Sequence, residues 1–263
     1  MTPRLLLLAA LALGACSDAF DPRADGGPAF ALNGTFDGQA THQRVRVQDL
    51  RDSVTDPAEA LAATVTSTEL VSGATTTWRD SLATLADGTR THIAVADLAI
   101  AAGQTHRLRV AGVDGRESRV DVRLPNPVAV PGPVTTAPAT SIRIDLTDAA
   151  GRPDESLVRF RVRRADGGGE QTLVATVALQ PDGDGATFLI FLSQAVFRAR
   201  TLLYGNGPGG IVFLGAQLET TLTSTADTPV VGGVGGVGWT LPLVVPIPIP
   251  SALVADVGFI DGR

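Results

Sequence analysis

Short stretches in which hydrophobic and polar residues alternate dominate the first half of the chain. Val45 and Val47 alternate with arginines, and Leu108 and Val110 do the same further on. Successive side chains of a strand point to opposite faces, so this period of two predicts strands with one buried face. Asp-Gly pairs between the stretches are hairpin signals. The pattern predicts seven strands, at residues 30–36, 44–50, 63–70, 75–82, 90–95, 106–111 and 119–124.

The second half of the chain shows a similar but less regular pattern. It predicts strands at residues 141–147, 157–163, 172–179, 187–192, 196–204, 211–213 and 216–225. A glycine-rich run follows at 232–238, and prolines then alternate with β-branched residues at 245–250. Because proline has no N–H, this tail can pair on one side only, as an edge strand or a polyproline-like ribbon. It is the most exposed-looking apolar segment of the chain, and a flat patch formed by Leu243, Val244, Val245, Ile247 and Ile249 would favour a protein partner.

A dense run of prolines between residues 125 and 140 separates the two halves. Prolines at this density favour extended chain, either exposed or packed as an edge, and mark a domain junction. The fold class that we predict is therefore all-β, with one sandwich followed by a second β-sandwich or β-barrel-like domain. The predicted organisation is a signal peptide at 1–15, a polar tether at 16–28, a first β-domain at 29–124, a linker at 125–140 and a second β-domain at 141–263.

The beginning of the chain has the three regions of a secretory leader. Arg4 is the positive region, residues 5–13 are apolar, and Gly14 and Ala15 are the small residues before Cys16, the only cysteine. The apolar run is shorter than the 20 or so residues that span a bilayer. This arrangement resembles the lipobox of bacterial lipoproteins. The resemblance implies cleavage before Cys16, lipidation of its thiol and acylation of the new amino group. Two or more acyl chains anchor a protein stably to a membrane.

A second resemblance concerns residues 100–110. The apolar Ile100, the turn at Gly103 and the alternating strand from His106 are similar to the E–F corner of fibronectin type III and other immunoglobulin-like domains. His106 stands where those domains carry a tyrosine, and its imidazole could make the same hydrogen bond to upstream backbone. The whole plan resembles uncharacterised two-domain surface lipoproteins of the Bacteroidetes type. Some of those are encoded beside outer-membrane transporters, which implies a binding or accessory role.

Composition and charge narrow the function classes. The net charge is −6 and all 21 basic residues are arginine, so we expect no nucleic-acid partner and no lysine nucleophile. With 44% hydrophobic residues the chain can bury a core, and after cleavage it would have no cysteine for a disulfide.

No motif for catalysis or for a cofactor stands out. Three histidines, His42, His92 and His106, could in principle bind zinc, but no His-Glu-x-x-His or paired cysteines accompany them. His106 shares strand parity with the core-facing Leu108, whereas His92 lies opposite Ile93 and Val95. We interpret the three as surface histidines and a corner histidine. There is no Gly-x-Ser-x-Gly elbow, and the Asp-Gly repeat at 182–185 lacks the rest of a calcium loop. We therefore predict no catalytic residues, no metal site and no cofactor, and Cys16 is the one predicted site residue.

Arginines alternate with apolar residues on two predicted hairpins. Such a row is either a solvated face with interleaved acids or a site for anionic glycans, lipid phosphates or an acidic partner. The residues concerned are Arg107, Arg109, Arg119 and Arg123 in the first half and Arg159, Arg161 and Arg163 in the second.

The sequence thus predicts a lipid-anchored protein of the bacterial cell envelope, most simply of the outer membrane. The expected role is non-catalytic binding or scaffolding, beside an outer-membrane protein such as a transporter. A surface binder of glycans or adhesion ligands and a carboxylate-dependent hydrolase remain as alternatives. The low aromatic content, 5%, argues against a glycan platform.

Overall fold

The computed structural model describes residues 27–51, 57, 59–135, 141–147, 151–176, 178–182, 185–191, 197–198, 201–203, 210–224 and 227–263. The fold is predominantly β, with strands arranged in several sheets, so the all-β class is confirmed. Because Cys16 and the predicted leader lie outside these residues, the lipidation site remains a prediction from the sequence.

The strands of the first half agree closely with the alternation pattern. The exception is the predicted strand at 75–82, which breaks at Trp78. The indole is buried and donates to the Ser67 hydroxyl at 2.9 Å, and the break lets the chain leave one sheet and enter another. The strands are β1 (Phe30–Asp37), β2 (His42–Asp49), β3 (Ala63–Glu69), β4 (Thr75–Thr77), β5 (Arg79–Thr84), β6 (Arg90–Asp97), β7 (Thr105–Gly112) and β8 (Glu117–Arg123).

These strands form two layers around a shared core. Strands β4-β3-β7-β8 make a four-stranded sheet, and β1, β2, β6 and β5 lie side by side in a larger one. The layers meet where Phe36 packs edge-on against His106 and stacks with Trp78. Val45, Val47, Leu108 and Val110 are buried, as their alternation with arginines predicted. One apolar face per sheet is therefore what holds this half together.

The second half departs further from the predicted pattern. Two predicted strands merge into one long strand, 172–179 divides in two, and the described residues of 196–204 (197–198 and 201–203) are helical rather than extended. The strands are β9 (Val128–Thr135), β10 (Ser141–Thr147), β11 (Gly151–Arg164), β12 (Gln171–Thr176), β13 (Ala178–Asp182), β14 (Gly185–Phe191), β15 (Ile211–Ser224), β16 (Thr228–Pro229), β17 (Val234–Pro246) and β18 (Ile260–Asp261), with a helix α1 (Ser251–Asp256) before β18.

The predicted proline-rich linker contains a strand. Within residues 125–140, β9 pairs with β10 at the edge of a second four-stranded sheet, in the order β13-β14-β10-β9. Proline is tolerated there because an edge strand needs its N–H groups on one side only. The sequence allowed either an exposed linker or an edge packed along a domain, and β9 is such an edge.

The glycine-rich run forms the beginning of β17, which pairs in parallel with β1. Its register joins Ala31 to Val234 and Asp37 to Thr240. Further along, β17 pairs with β15, so the large sheet runs in the order β12-β11-β15-β17-β1-β2-β6-β5, with β16 pairing to β17 and β18 to β15. One sheet thus contains strands from both sides of the proline-rich segment.

The apolar segment of the tail is exposed only in part, so it does not form one flat apolar patch. Val244 is exposed, but Ile247 and Ile249 are buried against the core. The Ile247 N–H donates to the Ala216 carbonyl at 2.9 Å, so the proline-rich tail lies against β15 and pairs on one side. Along this segment the alternation buries Ile247 and Ile249 and exposes Pro246, Pro248 and Pro250.

Candidate functional site

The three histidines occupy three different environments and do not converge. His42 is exposed at the start of β2 and contacts Asp97 at 2.7 Å. His92 on β6 and His106 on β7 are both buried, in opposite layers of the first half. The expectation that His92 lies at the surface is therefore wrong, while the core-facing position of His106 is confirmed. No group of three or more potential metal ligands is brought together among the residues that the structure describes.

His92 forms the most enzyme-like pair of the described residues, with Asp80. The imidazole Nδ1 lies 2.8 Å and 3.0 Å from the two Asp80 carboxylate oxygens, and the Leu61 N–H donates to Oδ2 at 2.9 Å. Nε2 is buried and has no hydrogen-bond partner among the described atoms. A carboxylate that orients an imidazole is common in catalytic and metal sites. Among the described atoms none bonds Nε2, and no third metal ligand lies nearby. The bonds of Asp80 join β5, β6 and the segment before β3 to one another.

Sequence reasoning missed Asp80, although a signal was present. The Asp87-Gly88 turn sets the β5–β6 register, in which Leu82 lies opposite His92 and Asp80 opposite Ala94. Asp80 and His92 are therefore diagonal neighbours on one face of the hairpin, within reach of each other. Counting outward from the turn would have placed a carboxylate beside the buried histidine.

His106 bonds to a side chain rather than to upstream backbone. Its Nε2 lies 3.3 Å from Gln104 Oε1, which also accepts the Ala101 N–H at 2.8 Å. Nδ1 is buried without a partner among the described atoms. Burial lowers the pKa of His106 below its usual 6.5, and the nearby Glu69 carboxylate opposes this shift. The neutral imidazole therefore closes the corner as a packed group, with Phe36 against its ring.

Glu69 closes the turn between β3 and β4 beside this histidine. Its carboxylate accepts the N–H of Ser72 at 2.6 Å and that of Val71 at 3.0 Å. Hydrogen bonds from the side chain and backbone of Ser72 and from the backbone of Val71 lower the pKa of Glu69 to about 2. The carboxylate is thus a turn-forming group in its ionised state.

We expect the substitution Glu69→Gln to remove part of the acid sensitivity of the fold. The folded pKa lies below the ordinary value of 4.5, so the charge stabilises the fold above about pH 4.5 and the benefit is lost as the pH falls towards 2. The variant should be less stable than the natural protein at pH 7, and the two should converge near pH 2. Urea unfolding at a series of pH values measures the difference. A difference that stays constant across this range would contradict the role assigned to Glu69.

Acidic side chains lie beside the arginine rows and pair with some of their arginines. Arg107 makes two bonds of 2.7 Å to Asp121, and Arg109 bonds Glu117 at 2.7 Å. In the second half, Arg159 bonds Glu219 at 2.6 Å. Exposed pairs of this kind add little to stability, but they neutralise the positive charge that would attract an anionic ligand. These faces therefore match a solvated strand surface better than an anion site.

A concavity lies beside β12, the last strand at one end of the large sheet. It encloses about 540 Å³ and is lined by residues 172–174, 197–198 and 201–202; we call it the edge groove. Phe197 is 73% exposed and Leu202 63%, so large apolar side chains face solvent here. A smaller depression of about 210 Å³ lies near Glu219 and Pro242. The edge groove offers apolar surface and strand backbone rather than converging acids or bases.

Two further observations complete the description of the candidate sites. The Asp-Gly repeat at 182–185 lies partly outside the described residues. In the described part of the chain, no helix has the length and apolar character needed to cross a bilayer.

A comparison with models of known protein families matches none of them, and no curated protein matches the chain.

Proposed function

We propose that this protein is a lipid-anchored component of the bacterial cell envelope with a non-catalytic binding or scaffolding role. The observation that carries the proposal is the order of Arg4, the apolar residues 5–13 and Gly14-Ala15-Cys16. A leader of this form directs export, and the cysteine after its small residues is the position that lipoproteins acylate. Two or three acyl chains on Cys16 would hold the protein on the outer membrane without a spanning helix.

The folded body supports a binding role over a catalytic one. The buried histidines and the acids around them are engaged in structural contacts: Asp80 holds His92 and a backbone N–H, and Glu69 closes a turn. Meanwhile, apolar side chains such as Phe197 and Leu202 stand exposed beside an outer strand. Exposed apolar surface of this kind is typical of protein interaction sites. An outer-membrane protein, such as a transporter, is the partner that we propose.

The proposal includes a finer description of the fold. We propose an immunoglobulin- or fibronectin-III-like sandwich for residues 29–124 and a second β-domain for 141–263. The contact of Phe36 with His106 between two layers, and the burial of Ile100 before the corner, support the first part. The pairing of β17 with β1 means that the second domain would lend a strand to the sheet of the first.

We expect Cys16→Ser to abolish lipid attachment and membrane retention. A serine hydroxyl does not replace the thiol that receives the diacylglyceryl group, so the precursor should stay uncleaved or unacylated. The measurement is metabolic labelling with an alkyne fatty acid, followed by membrane fractionation and mass spectrometry of the N-terminus. Ser17→Ala is the matched control, since it changes the neighbouring hydroxyl and keeps the cysteine. Equal labelling and retention of the two variants would overturn the proposal.

A pull-down of the anchored protein from gently solubilised envelopes tests the binding role. A stoichiometric outer-membrane protein, identified by mass spectrometry after mild cross-linking, would support the accessory function. If no protein accompanies the bait, the accessory function is wrong, and arrays of glycans and lipids then test the surface-binder alternative.

A further inference from the structure

One end of the first half is where the chain enters the fold, and several turns gather there. β1 starts at this end, and β2 finishes beside it, with Asp49 paired to Phe30. The β5–β6 turn at 85–89 lies at the same end, because Val47 near the end of β2 pairs with His92 near the start of β6. The β7–β8 turn at 113–116 lies there too, because Arg116 bonds the Ala29 carbonyl at 3.2 Å. We call this the tether end. The opposite end carries the β3–β4 turn, with Val71 at its tip.

The rest of the molecule extends away from the tether end. β17 runs parallel to β1 up to Thr240 and then continues to Pro246, where it pairs with β15. Twelve residue steps along β17 correspond to about 40 Å. The edge groove borders β12, beyond that far part of the sheet. Apart from the segment around Val231 and Gly232, which bonds Arg119 and Ala29, these described strands of the second half therefore extend from the opposite end of the first half.

Exposed apolar side chains stand at or near the tips of this end. Val113 in the β7–β8 turn is 86% exposed, Leu85 in the β5–β6 turn is 38% exposed, and Val231, whose backbone bonds Arg119 on β8, is 60% exposed. The charged groups around Val113 are paired with one another, whereas Asp87, in the turn that carries Leu85, accepts the Thr89 N–H. Arg116 bonds Asp49 and Asp114, and Arg51 lies 3.6 Å from Asp114. Apolar side chains beside charged groups that neutralise one another suit the boundary between lipid headgroups and acyl chains.

We propose that the tether end rests on the membrane, with Val113, Val231 and Leu85 in contact with lipid. This inference rests on the proposed lipidation of Cys16. The chain from Cys16 to Ala29 can span at most about 45 Å, so lipidation limits the distance between the point of entry and the bilayer to that length. The partner of the tether end is then the lipid surface. The second half, with its edge groove, faces away from the membrane.

Single thiols provide a direct test, because the natural chain has no cysteine besides Cys16, which acylation would block. The variants Val113→Cys and Val231→Cys are purified in the lipidated form, labelled with the fluorophore NBD and reconstituted in vesicles of phosphatidylethanolamine and phosphatidylglycerol. Val71→Cys, at a turn residue that is 92% exposed on the opposite end, is the matched control. Leu202→Cys reports on the edge groove.

We expect lipid-borne quenchers to reduce the emission at 113 and 231 about threefold more than at 71 or 202. Equal quenching at all four positions, or stronger quenching at 202, would overturn the inference. Mass spectrometry of the acylated N-terminus and flotation with the vesicles are measured on the same samples. Failure of acylation or flotation would overturn the proposed anchoring as well, whereas floating, acylated protein with an unquenched label at 113 would overturn the orientation alone.

Discussion

The substitution Gly235→Ala should lower the free energy of unfolding by about 4 kcal/mol. Gly235 lies where β17 runs beside β1, in register with Leu32. A Cβ there would lie 2.3 Å from the Leu32 carbonyl oxygen and 2.7 Å from Asn33 Oδ1, and the backbone has φ +87°. The carbonyl belongs to the partner strand, so relief requires the two strands to separate.

A matched glycine separates this steric clash from backbone strain. Gly88, in the β5–β6 turn, has nearly the same φ, +85°, but open space around its Cβ position. Gly88→Ala should therefore cost only the left-handed conformation, about 1 kcal/mol. Urea unfolding of both variants, followed by circular dichroism, measures the difference. Equal losses for the two would mean that β1 and β17 do not approach as closely as described.

Removal of the Arg116 side chain is expected to have the second largest effect, a loss of about 2 kcal/mol for Arg116→Ala. The guanidinium is 19% exposed, bonds Asp49 at 3.0 Å and the Ala29 carbonyl at 3.2 Å, and lies over the Phe30 ring. It thus joins the start of β1, the end of β2 and the β7–β8 turn. Without it, Asp49 loses its countercharge in a half-buried setting.

Arg109→Ala is the control for this prediction. Arg109 lies on the same hairpin and bonds Glu117 at 2.7 Å, but its side chain is 49% exposed. Exposed ion pairs contribute little, so this variant should unfold almost as the natural protein does. Arg116→Lys keeps the charge without the planar fork and should fall between the two. Thermal unfolding at moderate salt compares all three, and similar losses for Arg109→Ala and Arg116→Ala would refute the special position of Arg116.

The alternation of apolar and polar residues was sufficient to predict most strands of the first half. Where it failed, a single side chain shows the reason. Thr75, Trp78 and Leu82 read as one strand, but the indole packs into the core and bonds Ser67, and the chain changes sheets there. Alternation records which face is buried, and it does not record which sheet a strand joins.

The positions of the candidate site residues were also predicted only in part. The position of His106 in the core followed from its parity with Leu108, and its Gln104 partner did not, because a side-chain bond depends on rotamers at the corner. The burial of His92 was missed because the larger apolar residues of β6, Ile93 and Val95, lie on its other face, while the buried face carries the small Ala94 and Ala96. The pairing of Arg107 with Asp121 required the β7–β8 register.

By itself, the sequence determined the all-β class, most strands of the first half and the turns between them, whereas the leader with Cys16 stays a prediction. These depend on local patterns, namely side-chain alternation, Asp-Gly turns and the order of charged, apolar and small residues. Only the tertiary structure decided that β17 returns to pair with β1 and that Ile247 and Ile249 are buried. The β1–β17 contacts join residues about 200 positions apart, and Ile247 bonds Ala216 on another strand. The energy of both comes from a fit between surfaces of different strands, which no local period contains.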